Sequence, residues 1–421
     1  MMETISAIFW GVLTFSILVV LHEGGHFAVA RAFGVKVHEF MLGLPGPAIR
    51  WRGKNTVFGV TAIPLGGYVR IAGMEPGPED PRLAHVLALV TRGRKASAVD
   101  VSSELGYELA DAEGLLVTLA DWGAISSPAR RDDDVYEAIH AENLAADPGS
   151  LLDLARTVTY RGLSTWKRIA VLSAGVVVNL VSAVVVFVLV LTLYGLPAQT
   201  LKIEAAPSTG AAAAAGIRPG DTVKWIDGKK LSTWEDLTTT LATLKPGAAV
   251  VVVVDRAGAP RSFDVLLGRS DTGGARLGIQ VTIENLRMAP LAALKESFVW
   301  IGLVFKAIAG FFNPGTFRAS VNGSMSVVGV SVEVSKAASR GPIDYAFLVA
   351  LLSLSLGVMN ILPIPPLDGG KVALEIIEGV SRKQLPRRVA YGLSLAGAVL
   401  LFTFIGYLMY ADVVKFIVKG G

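Results

Sequence analysis

Three segments of this sequence carry no Asp, Glu, Lys or Arg: Ile169–Tyr194, Tyr345–Leu367 and Val389–Tyr410. Each is long enough to cross ~30 Å of hydrocarbon, which takes about 20 mostly apolar helical residues. A fourth, Ile5–Phe33, is apolar as far as Leu21 and then carries His22, Glu23, His26 and Arg31. Hydrocarbon offers the backbone no hydrogen-bond partner, so these segments predict four transmembrane helices. The first does not read as a signal peptide. Glu3 stands where a basic n-region belongs, and no small-residue cleavage site follows. Composition agrees: 52% of the 421 residues are hydrophobic and 18% charged, against about 25% charged in soluble domains. This disfavours an ordinary cytosolic enzyme, and a disordered chain, collagen and a coiled coil are excluded. The net charge of +4 says little about partners.

Lys and Arg near span ends set orientation. Arg382, Lys383, Arg387 and Arg388 lie between spans three and four. Lys36, Arg50, Arg52 and Lys54 follow span one, and Arg161, Lys167 and Arg168 precede span two. These ends are expected in the cytoplasm, with both termini and Leu196–Pro342 outside. Between the spans, Val35–Phe40 and Val57–Ile71 read as strands, with Leu44-Pro45-Gly46-Pro47 as a turn. Glu75–Thr159 is polar. In it Ala84–Thr91, Ala98–Leu105 and Ala110–Leu119 read as short helices, and an extended stretch begins at Trp122. That order resembles a winged helix. Asp100, Glu104, Glu108, Asp111 and Glu113 leave no basic recognition face, so a protein partner is expected over nucleic acid. A plain helical insert is the simpler alternative.

Leu201–Ile283 reads as a soluble α+β domain. Its Gly216-Ile217-Arg218-Pro219-Gly220-Asp221 run, the strand Val223–Asp227, the Gly228 turn and the helix Trp234–Leu244 closely resemble bacterial PDZ domains. Such domains bind peptides by strand addition, and Leu277-Gly278-Ile279 is the candidate edge loop. A PDZ fold serving as plug or spacer is the alternative. Phe298–Phe312 is apolar but short and holds Lys306, which predicts an interfacial helix.

The chemistry is narrowed by what is missing. There is no Cys, which excludes disulfides, thiolate metal sites and a cysteine nucleophile. His22-Glu23-Gly24-Gly25-His26 is an HExxH motif on a helix. Spacing i, i+4 puts both imidazoles on one face, as two ligands of a tetrahedral zinc require. Glu23 beside them can take a proton from the attacking water. Ionisable groups inside a span are costly and usually functional. The alternative is a pair of packing histidines. A catalytic zinc commonly has three protein ligands. His38, His85 and His140 lie in polar regions outside the spans. Asp368 is the better third candidate. It ends span three in Asn360-Ile-Leu-Pro363-Ile-Pro365-Pro366-Leu367-Asp368-Gly369-Gly370, where the prolines break the helix. An ordinary Asp-Gly turn is the alternative.

Together, HExxH in the first span, the PDZ-like domain and the Asn-x-x-Pro-x-Pro-x-Leu-Asp-Gly run resemble the site-2 protease family of intramembrane zinc metalloproteases. The likeness is strongest to its PDZ-containing bacterial branch, which includes the envelope-stress regulators. Ala62-Ile63-Pro64-Leu65-Gly66-Gly67-Tyr68-Val69 matches its membrane-associated β-hairpin, and Ala174-Gly175 with Asn179 its second span. The resemblance implies one Zn2+ per chain on His22, His26 and Asp368, with Glu23 as general base and then acid. It implies that Asn360 helps hold the substrate strand or oxyanion. Gly66 and Gly67 would lie in the segment that pairs with the substrate. Implied substrates are single-span membrane proteins, of the anti-sigma-factor or signal-peptide-remnant type, cut within or near the bilayer after a first protease. The PDZ domain would exclude bulky outer domains. Where the family carries a Gly-Pro-Val type run, this chain has Ser324-Met325-Ser326-Val327. The insert is far longer than the family's usual cytoplasmic link, and no role is carried over to it.

The expected whole is a polytopic α-helical protein of the bacterial inner membrane. Residues 1–33, 166–195, 343–370 and 389–415 are its spans; 34–74 is the β-hairpin or sheet segment; 75–165 is a cytoplasmic, winged-helix-like insert. Residues 200–285 are the extracytoplasmic PDZ-like domain, 286–342 the interfacial helix and connection, and 371–388 a cytoplasmic helix and loop. The rival readings are an inactive PDZ-bearing scaffold and a metal-binding membrane sensor.

Overall fold

The computed structural model describes residues 2–413, apart from 64–65, 76–77, 127, 129–133, 140–147 and 271–272. It divides into two compact units, Met1–Phe187 with Glu296–Gly421, and Val188–Lys295.

The first unit opens with helix α1, Met2–Ala32. Four strands follow: β1 (Val37–Leu42), β2 (Ala48–Arg52), β3 (Val57–Thr61) and β4 (Gly67–Ile71). The expected hairpin or sheet segment is a four-stranded mixed sheet of order β2-β3-β1-β4. Strand β1 lies parallel to β3 and antiparallel to β4, so β4 ends the sheet beside α1. Pro64 and Leu65 lie outside the described residues.

The insert follows. It comprises α2 (Leu83–Gly93), β5 (Lys95–Ser97), α3 (Ala98–Leu105), α4 (Leu109–Trp122), β6 (Ile125–Ser126), β7 (Val135–Ala138) and α5 (Pro148–Arg156). The three short strands form an antiparallel sheet of order β5-β7-β6. Its core gathers Leu83, Val86, Val90, Leu116, Leu119 and Ile125. Ser97 and Asp100 cap α3 reciprocally. Trp122, expected to open the extended stretch, instead closes α4 with its side chain buried. Gly123 then turns the chain at φ +75°.

Helix α6, Thr165–Leu193, leads to the second unit. That unit contains β8 (Leu196–Ala205), α7 (Ala211–Ala214), β9 (Thr222–Ile226), β10 (Lys229–Lys230), α8 (Trp234–Thr243), β11 (Ala249–Arg256) and β12 (Ala259–Leu266). Strands β13 (Gly268–Arg269), β14 (Ala275–Arg276) and β15 (Gln280–Leu286) complete it. The main sheet runs β12-β11-β9-β8-β15, with β10 on β9. Asp227-Gly228 and Ala257-Gly258 turn its hairpins with positive φ, the geometry that two-residue loops favour. Val250, Val252 and Val254 face its core alternately.

The first unit resumes within α9 (Pro290–Ala309), then α10 (Pro314–Asn322), α11 (Val327–Arg340), α12 (Pro342–Ile361), α13 (Asp368–Ser381) and α14 (Arg387–Val413). Helices α1, α6, α12 and α14 are long and apolar enough to cross a membrane. The short helix expected over Phe298–Phe312 begins earlier, at Pro290, and its Trp300 ring packs against Phe187 and Phe347. The third span was expected to run to Leu367. Its helix stops at Ile361, because Pro363 disfavours the helical conformation at Leu362.

Candidate metal centre

The centre forms where α1, α6 and α13 meet. Gly25 and Gly175 let α1 and α6 approach closely. A Cβ on Gly25 would lie 2.6 Å from the Ala174 carbonyl oxygen, and one on Gly175 would lie 2.5 Å from His26 Nε2. On α1 the HExxH spacing stacks His22 and His26 one turn apart, with Nε2 atoms separated by 3.4 Å. His26 Nδ1–H donates to the Val171 carbonyl at 2.7 Å. That bond fixes the ring and leaves Nε2 pointing into the centre.

Asp368 arrives from 342 residues along the chain. The broken end of α12 brings it there. After Ile361 the backbone folds over the start of α13, and Gly369 and Gly370 make room. A Cβ on either would strike backbone of Ile361 or Ile364–Pro365. Asp368 is therefore the first residue of α13 and not the last of a span. A carboxylate is favoured at a helix N-terminus. Its Oδ2 lies 2.9 Å from His22 Nε2 and 3.2 Å from His26 Nε2. Its Oδ1 accepts from Lys371 Nζ at 3.2 Å, which leaves one oxygen for the centre.

These three atoms form a triangle with edges of 2.9, 3.2 and 3.4 Å. Tetrahedral zinc bonds near 2.0–2.1 Å put neighbouring ligand atoms about 3.3 Å apart. The donor set fits zinc: two imidazole nitrogens and one carboxylate oxygen, with a fourth position left to water or substrate. Among the described residues no other cluster of three or more His, Asp or Glu meets the same test. Asp368 and His26 are each 7% exposed, and a carboxylate so enclosed calls for a cation.

The remaining expected residues are placed as follows. Glu23 is half-buried next to the pair. Gly67, the first residue of β4, sits over it: a Cβ there would lie 3.6 Å from Glu23 Cγ. Gly66 precedes it at φ +92°. The outer edge of β4 has no strand paired to it among the described residues. Asn360 is buried, and its Nδ2 donates to the Leu356 carbonyl of its own helix at 3.0 Å. His38 serves the insert, donating from Nε2 to the Asp121 carbonyl at 2.6 Å. His85 is exposed on α2, and His140 lies outside the described residues. In the second unit, Leu277, Gly278 and Ile279 lead into β15, the end strand of that sheet. Leu277 is buried, and its carbonyl accepts from Ala212 N–H. Reading the sequence missed the Val171 carbonyl and Lys371. A backbone carbonyl leaves no trace in side-chain pattern. Lys371 was visible, one helical turn after Asp368.

The sequence model of peptidase family M50, the site-2 proteases, matches residues 10–404. The chain belongs to peptidase family M50. Similar relatives agree over nearly their full length. The zinc metalloprotease RasP of Geobacillus kaustophilus is 26% identical over 430 aligned residues, covering 99% of this chain and 100% of that one. The probable protease eep of Enterococcus faecalis is 28% identical over 420, covering 96% and 98%. Among solved structures, the PDZ domain of an SdrC-like protein from Listeria innocua shares 19% identity. It covers 20% of this chain and 92% of its own, with a TM-score of 0.18. This M50 peptidase is thus a multi-pass bacterial membrane zinc metalloprotease, acting on membrane proteins in the bilayer.

Proposed function

We propose that this peptidase cuts single-span membrane proteins of the anti-sigma-factor or signal-peptide-remnant type, within or near the cytoplasmic half of the inner membrane. One zinc ion per chain is held by His22, His26 and Asp368. The observation that carries the reading is the meeting of Asp368 Oδ2 with both Nε2 atoms, at 2.9 and 3.2 Å, beneath a sheet edge that begins at Gly67 beside Glu23.

A helical substrate hides its carbonyls in i to i−4 bonds, so its scissile region must unwind. The open edge of β4 supplies replacement hydrogen bonds and keeps the unwound strand extended. Bound zinc supplies Lewis acidity toward the scissile carbonyl. Glu23 takes a proton from the attacking water as the new C–O bond forms. It then gives that proton to the amide nitrogen as the C–N bond breaks. Asn360 holds the strand or the developing oxyanion. Lys371 and the Val171 carbonyl keep Asp368 and His26 aimed.

The second unit acts as a PDZ-like filter on the outer side. It admits substrates whose outer domains have been removed, and its peptide edge runs from Leu277-Gly278-Ile279 into β15. The insert is a winged-helix-like module for a cytoplasmic protein partner. Support comes from its order of helices and strands and from the acidic Asp111 and Glu113 on α4. The C-terminal end of that helix is also engaged by the chain itself, through Asp121 with His38 and Gly73. That engagement disfavours nucleic acid.

The test compares wild type with Glu23→Gln on a model single-span substrate. The variant is expected to keep its zinc and lose at least about 100-fold in turnover, the usual contribution of a general base. Normal processing by Glu23→Gln would sink the assignment.

A further inference from the structure

Two of the three metal donors have an outer partner: His26 donates Nδ1–H to the Val171 carbonyl, and Asp368 accepts from Lys371. The third, His22, faces Asn179 of α6. The Asn179 amide nitrogen is placed 3.2 Å from His22 Nδ1. Asn179 is wholly buried, and its Oδ1 finds no hydrogen-bond partner among the described residues. A buried carboxamide oxygen without a donor costs free energy. The two ends of a carboxamide have nearly the same shape, so the bonding network decides which way it points.

The direction of the His22 ring decides it here. His22 Nε2 is the atom aimed at Asp368 Oδ2, so Nε2 is the atom that would hold the metal. A neutral imidazole that ligates through Nε2 carries its proton on Nδ1. With the amide nitrogen toward Nδ1, two N–H donors would face each other. With Oδ1 toward Nδ1, donor meets acceptor at the same distance, and the amide nitrogen takes the position in which Oδ1 has no partner. Metal-bound histidines almost always have such an outer acceptor.

We propose that Asn179 is a positioning residue of this zinc centre, its Oδ1 accepting the Nδ1–H of His22 and thereby fixing the tautomer and ring angle that present Nε2 to the metal. The inference rests on the zinc site of His22, His26 and Asp368. Two features hold Asn179 in place. Ser353 Oγ donates to the Asn179 backbone carbonyl at 3.0 Å. Gly175, one turn earlier on α6, lets the helix lie against both imidazoles. No other described side chain bonds to His22 Nδ1.

The test uses full-length protein in detergent and reads zinc affinity by chelator competition. Asn179→Leu keeps the volume and removes the acceptor. It is expected to weaken zinc by about 10- to 100-fold, the range for lost outer partners. Asn179→Asp keeps an acceptor and should stay within a few-fold of wild type. If Asn179→Leu binds zinc like wild type, or Asn179→Asp falls as far as Asn179→Leu, the proposal is overturned. A second measurement needs no variant. In cadmium-loaded wild type with 15N-labelled histidine, His22 should show metal coupling at Nε2 and a retained proton on Nδ1. Coupling at Nδ1 overturns the proposal even if Asn179→Leu fails to fold. Wild type that binds no metal would instead fail the zinc-site reading beneath it.

Discussion

The metal centre and the insert belong to the same unit, yet glycines within their helices can do opposite things. At the centre, Gly25, Gly175, Gly369 and Gly370 each have another element's backbone or a ligand ring where a Cβ would sit. In the insert, Gly114 lies within α4 with nothing inside 4 Å of a Cβ. The first group is glycine because helices must touch around a buried polar cluster. Gly114 has no such reason, and it weakens the helix that contains it. A polar site at membrane depth must be enclosed tightly to satisfy its groups, whereas a water-facing helix need not be.

Four changes break or sharpen that contrast. Asp368→Ala removes the proposed third ligand, the carboxylate that meets both imidazoles. Zinc affinity should fall by more than the roughly 10- to 100-fold that outer partners contribute, measured as metal content after dialysis. Full zinc content in this variant would remove Asp368 from the centre. Gly175→Ala comes next. Its methyl would meet His26 Nε2 at 2.5 Å and His22 Nδ1 at 2.8 Å, so α6 must shift. Zinc binding should drop at least about tenfold, and overpacking should cost about 1–3 kcal/mol of stability. Wild-type behaviour would mean that α6 does not approach the imidazoles. Gly114→Ala should do the reverse, stabilising the insert by about 0.5–1 kcal/mol with substrate turnover unchanged. Destabilisation on thermal unfolding would show that α4 is packed on that face.

The smallest effect concerns pH. Burial pushes the His38 imidazole below its ordinary 6.5, although the Asp121 carboxylate pulls the other way. The folded state therefore disfavours protonated His38. Its contribution is complete above about pH 6.5 and is lost as pH falls through the lowered folded value. Proteolysis of the insert should speed up as pH falls below 6.5, and His38→Gln should flatten that dependence. An unchanged dependence in His38→Gln would assign it to another group.

Much of the centre was legible because its chemistry needs few residue types. With no Cys and five His, an i, i+4 pair inside an apolar helix left few choices, and the proline-broken end of the third span offered one acid. Three helices of the insert were legible from apolar spacing: Ala98–Leu105 matched at both ends, the other two were displaced by one to three residues, and Pro148–Arg156 was not foreseen. Trp122 was misplaced because its large ring closes the core from the last turn of α4. The mixed order of the first sheet was not readable, since alternation identifies strands without naming their partners. Asn179 could be matched to the family's second span but not given a role, because only the fold puts its amide against His22.

What the sequence determined by itself was its solvent and its metal. Runs of uncharged apolar residues are stable in hydrocarbon only as helices, and His, Glu and Asp were the only strong donors the chain possessed. What the tertiary structure decided was convergence. It ended α12 at Ile361, folded Pro363–Leu367 back, and brought Asp368 within 2.9 Å of a histidine near the start of the chain. The reason is geometric. Ligand identity is a property of single residues, whereas a coordination triangle depends on three helices packed close enough to share it.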